Sequence, residues 1–199
     1  MQLDLQKTPL LRGGFVVLRP VVEDDLEMIR AWRNAPEVAS FHAERDTISA
    51  EKQKRWFAKV SEASSHFVWV ICCAKDHRPI GVAHIKDIHP THRRGEVGLY
   101  LGDVARRGGP FGGDAFFLIL EFAFRSLGLH KVYGHYLHEN AVARRLNASF
   151  GFVEEGLFRE ELFYDDAFHD YVRVGVLEQE FTQSAGARFY SRRIPKEGE

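Results

Sequence analysis

Arg106–Phe122, RRGGPFGGDAFFLILEF, sets two arginines and four glycines directly ahead of an apolar run that lacks a turn signal. The apolar part predicts a helix over 113–125 in which only Asp114, Glu121 and Arg125 are polar. Their spacing confines them to one narrow stripe, so most of the helix circumference should be buried. A strand that runs into glycines and then into such a helix leaves unpaired N–H groups where the helix dipole is positive, which suits phosphate. Glycine also lets the backbone approach an anion closely. Gly108 and Gly113 have the Walker spacing, but Asp114 and Ala115 stand where that motif needs a lysine and a hydroxyl, so ATP is disfavoured. The G-x-G-x-x-G pattern is absent as well. What remains is the pyrophosphate of some other cofactor.

Upstream, HFVWVICC (66–73), PIGVAHIKDI (79–88) and GEVGLYLG (95–102) read as three antiparallel strands, the first two joined by the turn-like KDHR. Before them GFVVLRP (14–20) is a strand closed by proline. Val22, Leu26, Ile29 and Trp32 then recur at helical spacing, and Ser49 can cap a second helix that would bury Trp56, Phe57 and Val60. The segment from Asn34 to Asp46 reads mainly as loop. Downstream, KVYGHYL is a strand, 140–150 a helix, and the stretch to about Glu180 two strands that turn near Asp165 and Asp166. The order β-α-α-β-β-β-α-β-α-β-β predicts an α/β fold with a mixed, mostly antiparallel central sheet flanked by helices.

The chain has 199 residues, 45% of them hydrophobic and 28% charged, enough for one domain with a real core, assigned to 1–181. Residues 182–199 read as a polar tail for which disorder is the default, although Phe189 and Tyr190 leave open a docking segment or a homodimer contact. A formal net charge of -1 argues against a nucleic-acid or membrane-surface binder. No apolar run has signal-peptide or membrane-spanning character, and a cytoplasmic protein is expected. Cys72 and Cys73, neighbours on a strand, point to opposite faces and suit neither a disulfide framework nor a metal site.

Arg107-Gly108-Gly109-Pro110-Phe111-Gly112 resembles the pyrophosphate loop Q/R-x-x-G-x-G/A of the GNAT superfamily of acetyl-CoA-dependent N-acetyltransferases, whose strand order also matches. Pro110 takes the place of the first specified glycine and has no N–H to give, a donor that Gly109 in a shifted register, or the charge of Arg106 and Arg107, would replace. LHKVYGHYLHENAVARRLNASFGFVEEG (129–156) is similar to a second, more specific block of the superfamily, matched at Asn140, Ala143, Gly151, Phe152, Glu155 and Gly156. The resemblance implies acetyl-CoA as co-substrate. It would be held by the main chain of Leu99, Tyr100 and Leu101, by Arg106, Arg107, Gly108, Gly109, Phe111, Gly112 and Gly113, and by the polar stripe of Asn140 and Arg144. Many members carry a tyrosine at the position of Asn147 to protonate the departing thiolate; asparagine cannot act as that acid, so water or another group would serve.

Aminolysis of a thioester needs a neutral amine, and a base within reach raises the neutral fraction. Glu96 stands on the 95–102 strand, on one face with Gly98 and Tyr100, at a distance from Arg107 that resembles the glutamate base of several superfamily members. The competing reading is a structural carboxylate paired to Arg93 or Arg94. His84, His89 and His92 read as solvated turn histidines and no metal is expected. His138 is a weaker candidate base than Glu96, and nearer the cleft than His135.

The acceptor is a small-molecule or peptide amine. The segments resemble the ribosomal-protein, spermidine and nucleotide-amino-sugar acetyltransferase branches alike, with a lean to a small amine or amino sugar. Glu154, Glu155, Glu160, Glu161, Asp165, Asp166 and Asp170 on the final hairpin would attract a cation, while Arg30 and Arg33 would suit a second phosphate. N-terminal acetylation of a protein or peptide, transfer of a larger acyl group, and a non-catalytic acyl-CoA-binding module are the rivals.

Overall fold

The computed structural model describes residues 8–63 and 65–195; the N-terminal stretch before Thr8 and the last four residues of the tail lie outside it. An eight-stranded sheet has the order β1-β2-β3-β4-β5-β6-β8-β7. Its strands are β1 (Leu11–Arg12), β2 (Val16–Pro20), β3 (Phe67–Cys73), β4 (Pro79–His89), β5 (Arg94–Leu101), β6 (Lys131–Leu137), β7 (Val153–Tyr164) and β8 (Ala167–Leu177). Every neighbouring pair is antiparallel except β5 and β6. The expected mixed, mostly antiparallel sheet is therefore present, with one short strand, β1, added at the edge.

The helices are α1 (Leu26–Asn34), α2 (Pro36–Ala39), α3 (Ala50–Glu62), α4 (Phe111–Glu121), α5 (Ala141–Ser149), α6 (Glu178–Gln183) and α7 (Ala185–Ser191). On one side of the sheet Val16, Leu18, Ile71, Ile80, Ile85, Val132 and Val174 pack on α4 and α7. On the other, Val70, Cys72 and Val82 meet Ile29 of α1, so Cys72 and Cys73 do lie on opposite faces, both buried and free.

α4 begins at Phe111, two residues before the expected start, and its end widens into a π turn over Phe122–Ser126. Residues Ala115–Leu120 are all buried, as an apolar run without periodicity requires. The polar stripe does not hold, because Asp114 is fully buried. Its Oδ2 accepts the N–H groups of Phe15 (2.7 Å) and Val16 (2.9 Å), which ties the start of α4 to the entry of β2. In α3, Trp56, Phe57 and Val60 are only half-buried and Gln53 is the buried residue. Ser49 caps α3 as expected, accepting from the Lys52 N–H at 3.1 Å.

The expectation of a disordered tail fails over the described part. α7 is capped by Ser184, which accepts from the Ala187 N–H at 3.1 Å, and its Tyr190 ring stacks on Phe150 and Phe117. The signal was Phe189-Tyr190, and the partner surface exists only once α4 and α5 have packed. The Tyr190 hydroxyl reaches the Pro110 carbonyl at 3.3 Å and covers Gly113, so a side chain at Gly113 would collide with it. Tyr190→Ala is expected to lower stability by about 2–3 kcal/mol, and Tyr190→Phe by under about 1 kcal/mol, in urea denaturation. Equal losses would show that the hydroxyl, and not the ring, holds α7.

Candidate active site

β5 and β6 pair only over Arg94–Glu96 with Lys131–Tyr133. Beyond that point β5 stays with β4 to Leu101 and β6 stays with β8 to Leu137, so the sheet forks from Val97 onward. At the crotch a Cβ on Gly134 would lie 3.2 Å from the Val97 carbonyl oxygen, and glycine permits that approach. Main-chain direction alternates along β5. Gly102 N–H donates to the Ile80 carbonyl at 2.9 Å, which turns Gly102 and Tyr100 toward β4 and leaves Leu99 and Leu101 facing the fork. Tyr100 is thus corrected as a source of main-chain contacts to a ligand in the fork. The Leu101 carbonyl is also taken, by Arg107 Nε (3.2 Å) and Nη2 (2.9 Å). Leu99 is the residue of the three whose N–H and carbonyl are both free to face a ligand, while Leu101 keeps its N–H.

The glycine loop lies beyond the tip of β5. Gly108 has φ +78°, a conformation that suits glycine, with open space where a side chain would be. Pro110 is the N-cap of α4 and no side chain caps the helix. The first intrahelical bond runs from the Asp114 N–H to the Pro110 carbonyl at 2.9 Å, so the N–H groups of Phe111, Gly112 and Gly113 belong to the orphan first turn. Proline at the cap lacks the N–H of that position but leaves the three first-turn donors that follow it intact. A Cβ on Gly112 would meet nothing closer than Leu101 Cδ1 at 3.9 Å, so the backbone there is open to a ligand, whereas Gly113 is covered by Tyr190 and Gly109 lies against the Phe111 ring. The two arginines brace this loop: Arg107 through Leu101, and Arg106 through Asp76 at 2.8 Å with its guanidinium 5.4 Å from the Phe111 ring centroid. Arg106 is thereby ion-paired, whereas Arg107 bonds a neutral carbonyl and keeps its charge.

On α5 the expected open stripe is partly consumed. Asn140 caps the helix, its Oδ1 accepting from the Ala143 N–H at 2.9 Å, and Asn147 Nδ2 donates back to the Ala143 carbonyl at 2.8 Å. Arg144 is exposed.

Glu96 sits at the closed end of the fork with 16% of its side chain exposed. Its partners are not Arg93 or Arg94. Arg93 Nε donates to the Gly128 carbonyl at 2.7 Å, and Arg94 lies over the Tyr133 ring. Instead Lys86, its cross-strand neighbour, places Nζ at 3.2 Å, and His135 places Nδ1 at 3.6 Å. Burial by itself would raise the Glu96 carboxyl, but the His135 ring and the Lys86 ammonium outweigh it and hold the carboxyl below its usual range. His135 stacks on Tyr171 of β8, with ring centroids 5.3 Å apart. His138 is exposed, so His135, and not His138, is the histidine beside Glu96. The parallel pairing Glu96 with Tyr133 puts residue 135, two further on, on the Glu96 face; without that register no sequence signal picks it out.

Further out on the same face, His84 covers Gly98 and the His42 ring meets Tyr100 edge-on at 5.3 Å. His84 is thus a strand residue, and burial pushes it down to about 4. His89 and His92 do lie at the turn, stacked at 4.1 Å. Among the described residues no group of three His, Cys, Asp or Glu is placed to hold a metal. No described helix is long and apolar enough to cross a membrane.

A mostly antiparallel sheet forked beside an uncapped, glycine-rich helix start has the architecture of acyltransferases that use acyl-coenzyme A. Residues 16–153 match the acetyltransferase (GNAT) domain family, and the chain belongs to it, as an acetyl-CoA-dependent N-acetyltransferase. It is 26% identical over 166 residues to spermidine N(1)-acetyltransferase of Vibrio cholerae, covering 83% of this chain and 95% of that protein. The crystal structure of the Vibrio cholerae enzyme in complex with CoA and spermine superposes with a TM-score of 0.79 at 26% identity, covering 84% of this chain and 98% of that one. Mycobacterium smegmatis RimJ in complex with CoA-disulfide shares the fold, with a TM-score of 0.76 at 24% identity over 91% of each chain.

Proposed function

We propose that this enzyme acetylates the primary amine of a small molecule or amino sugar, with the acceptor entering on the Glu96 face of the fork. The observation that carries this reading is the fork itself, which joins an open main-chain edge at Leu99, an uncapped helix start at Phe111–Gly113 and a buried carboxylate at its closed end. Acetyl-CoA supplies the activated acyl group. Gly108, Gly112 and the first-turn N–H groups would hold its pyrophosphate, and the Leu99 N–H would hold the acetyl carbonyl, where negative charge develops. Glu96, with His135 beside it, would take the proton from the ammonium, directly or through water. Asn147 is no proton donor, and its amide is already bonded to its own helix, so water or another group would protonate the leaving thiolate.

A small acceptor is supported by the spermidine acetyltransferase relatives and by the wall of the site. Arg45, in the segment after α2, pairs with Asp165 at the tip of the β7–β8 hairpin (2.9 Å) and lies 3.4 Å above the Tyr164 ring. We read that bridge, which links the segment after α2 to the hairpin tip, as narrowing the access that a protein N-terminus would need.

The test is calorimetric titration of acetyl-CoA, with pantetheine as control, followed by thiol release with a panel of primary amines. Binding about 10²-fold weaker for pantetheine is expected if the loop cradles pyrophosphate. Binding of acetyl-CoA without turnover of any amine would support a binding module instead. Gly112→Val should weaken acetyl-CoA about 10-fold or more by filling the open side of the loop, read in the same titration.

A further inference from the structure

Arg30 and Arg33 lie one turn apart on α1, and the structure separates them. Arg30 is held by Glu27 through Nε (2.8 Å) and Nη2 (2.5 Å). Arg33 makes no hydrogen bond or ion pair among the described residues, yet it is partly buried, with burial the main influence on its guanidinium. A guanidinium does not give up its proton to escape that burial, and a desolvated charge without a counter-ion is costly. Its neighbours do not supply one. The Tyr100 hydroxyl beside it is buried and has no hydrogen-bond partner. His42, edge-on to Tyr100, is driven down to about 3 by burial and by Arg33, so it is a neutral ring. Glu44 is the nearby carboxylate, and its nearest cation is Lys52, at 4.0 Å.

Three polar groups with unused capacity thus converge on the face of β5 that carries Glu96, Gly98 and Tyr100. From Glu96 to Tyr100 is four residues, roughly 13 Å at the rise of a strand. Part of the acidic hairpin is already engaged, although Glu160, Glu161 and Asp166 have no cation partner among the described residues. Asp165 is held by Arg45, Glu155 by Lys131 and Arg173, and Asp170 by the Glu160 N–H.

We propose that Arg33, with the Tyr100 hydroxyl and His42, forms a subsite for an anionic group on the acceptor, so that the preferred substrate is a small primary amine that also carries a carboxylate or a phosphate. The proposal rests on the acceptor entering along the Glu96 face. The amine end lies at Glu96 and the anionic end under α1 and the segment after α2, and a polyamine is repelled where a zwitterion is held.

The experiment uses matched pairs in the thiol-release assay: glucosamine against glucosamine 6-phosphate for the phosphate, a dipeptide amide against the free dipeptide for the carboxylate, and spermidine as the cationic comparator. The anionic member of at least one pair should exceed its neutral partner about 10- to 100-fold in kcat/KM, the span of a charge-assisted bidentate contact. Arg33→Met should bring that ratio to near one, with Arg33→Lys in between. Removing an unpaired, desolvated charge does not destabilise the fold, so thermal unfolding of Arg33→Met should match or exceed wild type and exclude misfolding as the cause. Spermidine turned over in preference to every anionic amine, with that preference unaltered in Arg33→Met, overturns the subsite. Calorimetry of glucosamine 6-phosphate and of the free dipeptide into the CoA-loaded protein keeps the question separate from turnover. If no amine reacts, acetyl transfer falls, while Arg33-dependent binding of either anion still supports the subsite and the binding of neither overturns it.

Discussion

Glu96→Gln will lower kcat/KM for acetyl transfer about 10²-fold or more while leaving acetyl-CoA affinity unchanged. The substitution keeps the volume and removes the charge, and neither the glycine loop nor the Leu99 main chain touches Glu96. The carboxylate is held down by Lys86 and His135, so it is ionised throughout the neutral range and no acid limb in that range should arise from it. That makes a second variant informative. Lys86→Met removes the 3.2 Å ammonium, burial then weighs more heavily, and the Glu96 carboxyl rises. An acid limb should then move up into the assay window, and it should be absent from the double variant with Glu96→Gln. His135→Gln should lower turnover as well, without affecting acetyl-CoA titrations. Undiminished turnover in Glu96→Gln would sink the assignment of the proton acceptor, whatever the acceptor amine proves to be.

The second large effect concerns stability. Asp114→Ala is expected to cost about 3 kcal/mol, because it strands the N–H groups of Phe15 and Val16 in a buried site, at roughly 1–3 kcal/mol each, and leaves a small void. Asp114→Asn keeps an oxygen for both donors and should cost far less. Burial raises the Asp114 carboxyl above its usual range, even though the backbone N–H groups of Phe15, Val16 and Gly14 favour the charged form, and its Oδ1 has no partner. The sign follows from the raised folded value: the contribution of this group is fully present below the unfolded carboxylate value of about 4 and is lost as pH rises through the folded value. Asp114→Asn should therefore gain on wild type as pH is raised from about 4 toward 7. A stability difference that is flat across that range, measured by urea denaturation, would show that the carboxyl titrates normally. The same contact explains Gly13, where a Cβ would stand 2.8 Å from Asp114 Oδ1, so Gly13→Ala should push the Asp114 carboxylate off its two N–H donors.

Much of this was legible in the chain because the signals are local. The β-rich runs, the apolar helix after the glycines and the Ser49 cap are each set by a few consecutive residues. The site was legible in type and less so in detail. Glu96, the glycine loop and Asn140 could be named from the resemblance to the superfamily, but their partners could not. Asn140 turned out to be spent on its own helix, Arg106 and Arg107 on bracing the loop, and Asp114, read as a polar stripe residue, on β2. Asn140 met its own helix end, Arg107 the carbonyl of Leu101 six residues back, Arg106 the carboxylate of Asp76 thirty residues away, and Asp114 backbone N–H groups almost a hundred residues away.

By itself the sequence determined the order of strands and helices, the family and the kind of ligand that the glycine loop accepts, since periodicity, turn residues and backbone freedom are properties of short segments. Only the tertiary structure decided which face of β5 meets which face of β6, and with it that His135 joins Glu96, that Tyr100 turns its main chain away from the fork, that α7 seals Gly113, and that Arg33 is left without a counter-ion. Those outcomes depend on register and on packing between segments far apart in the chain, where shifting a strand by one residue reverses every side chain.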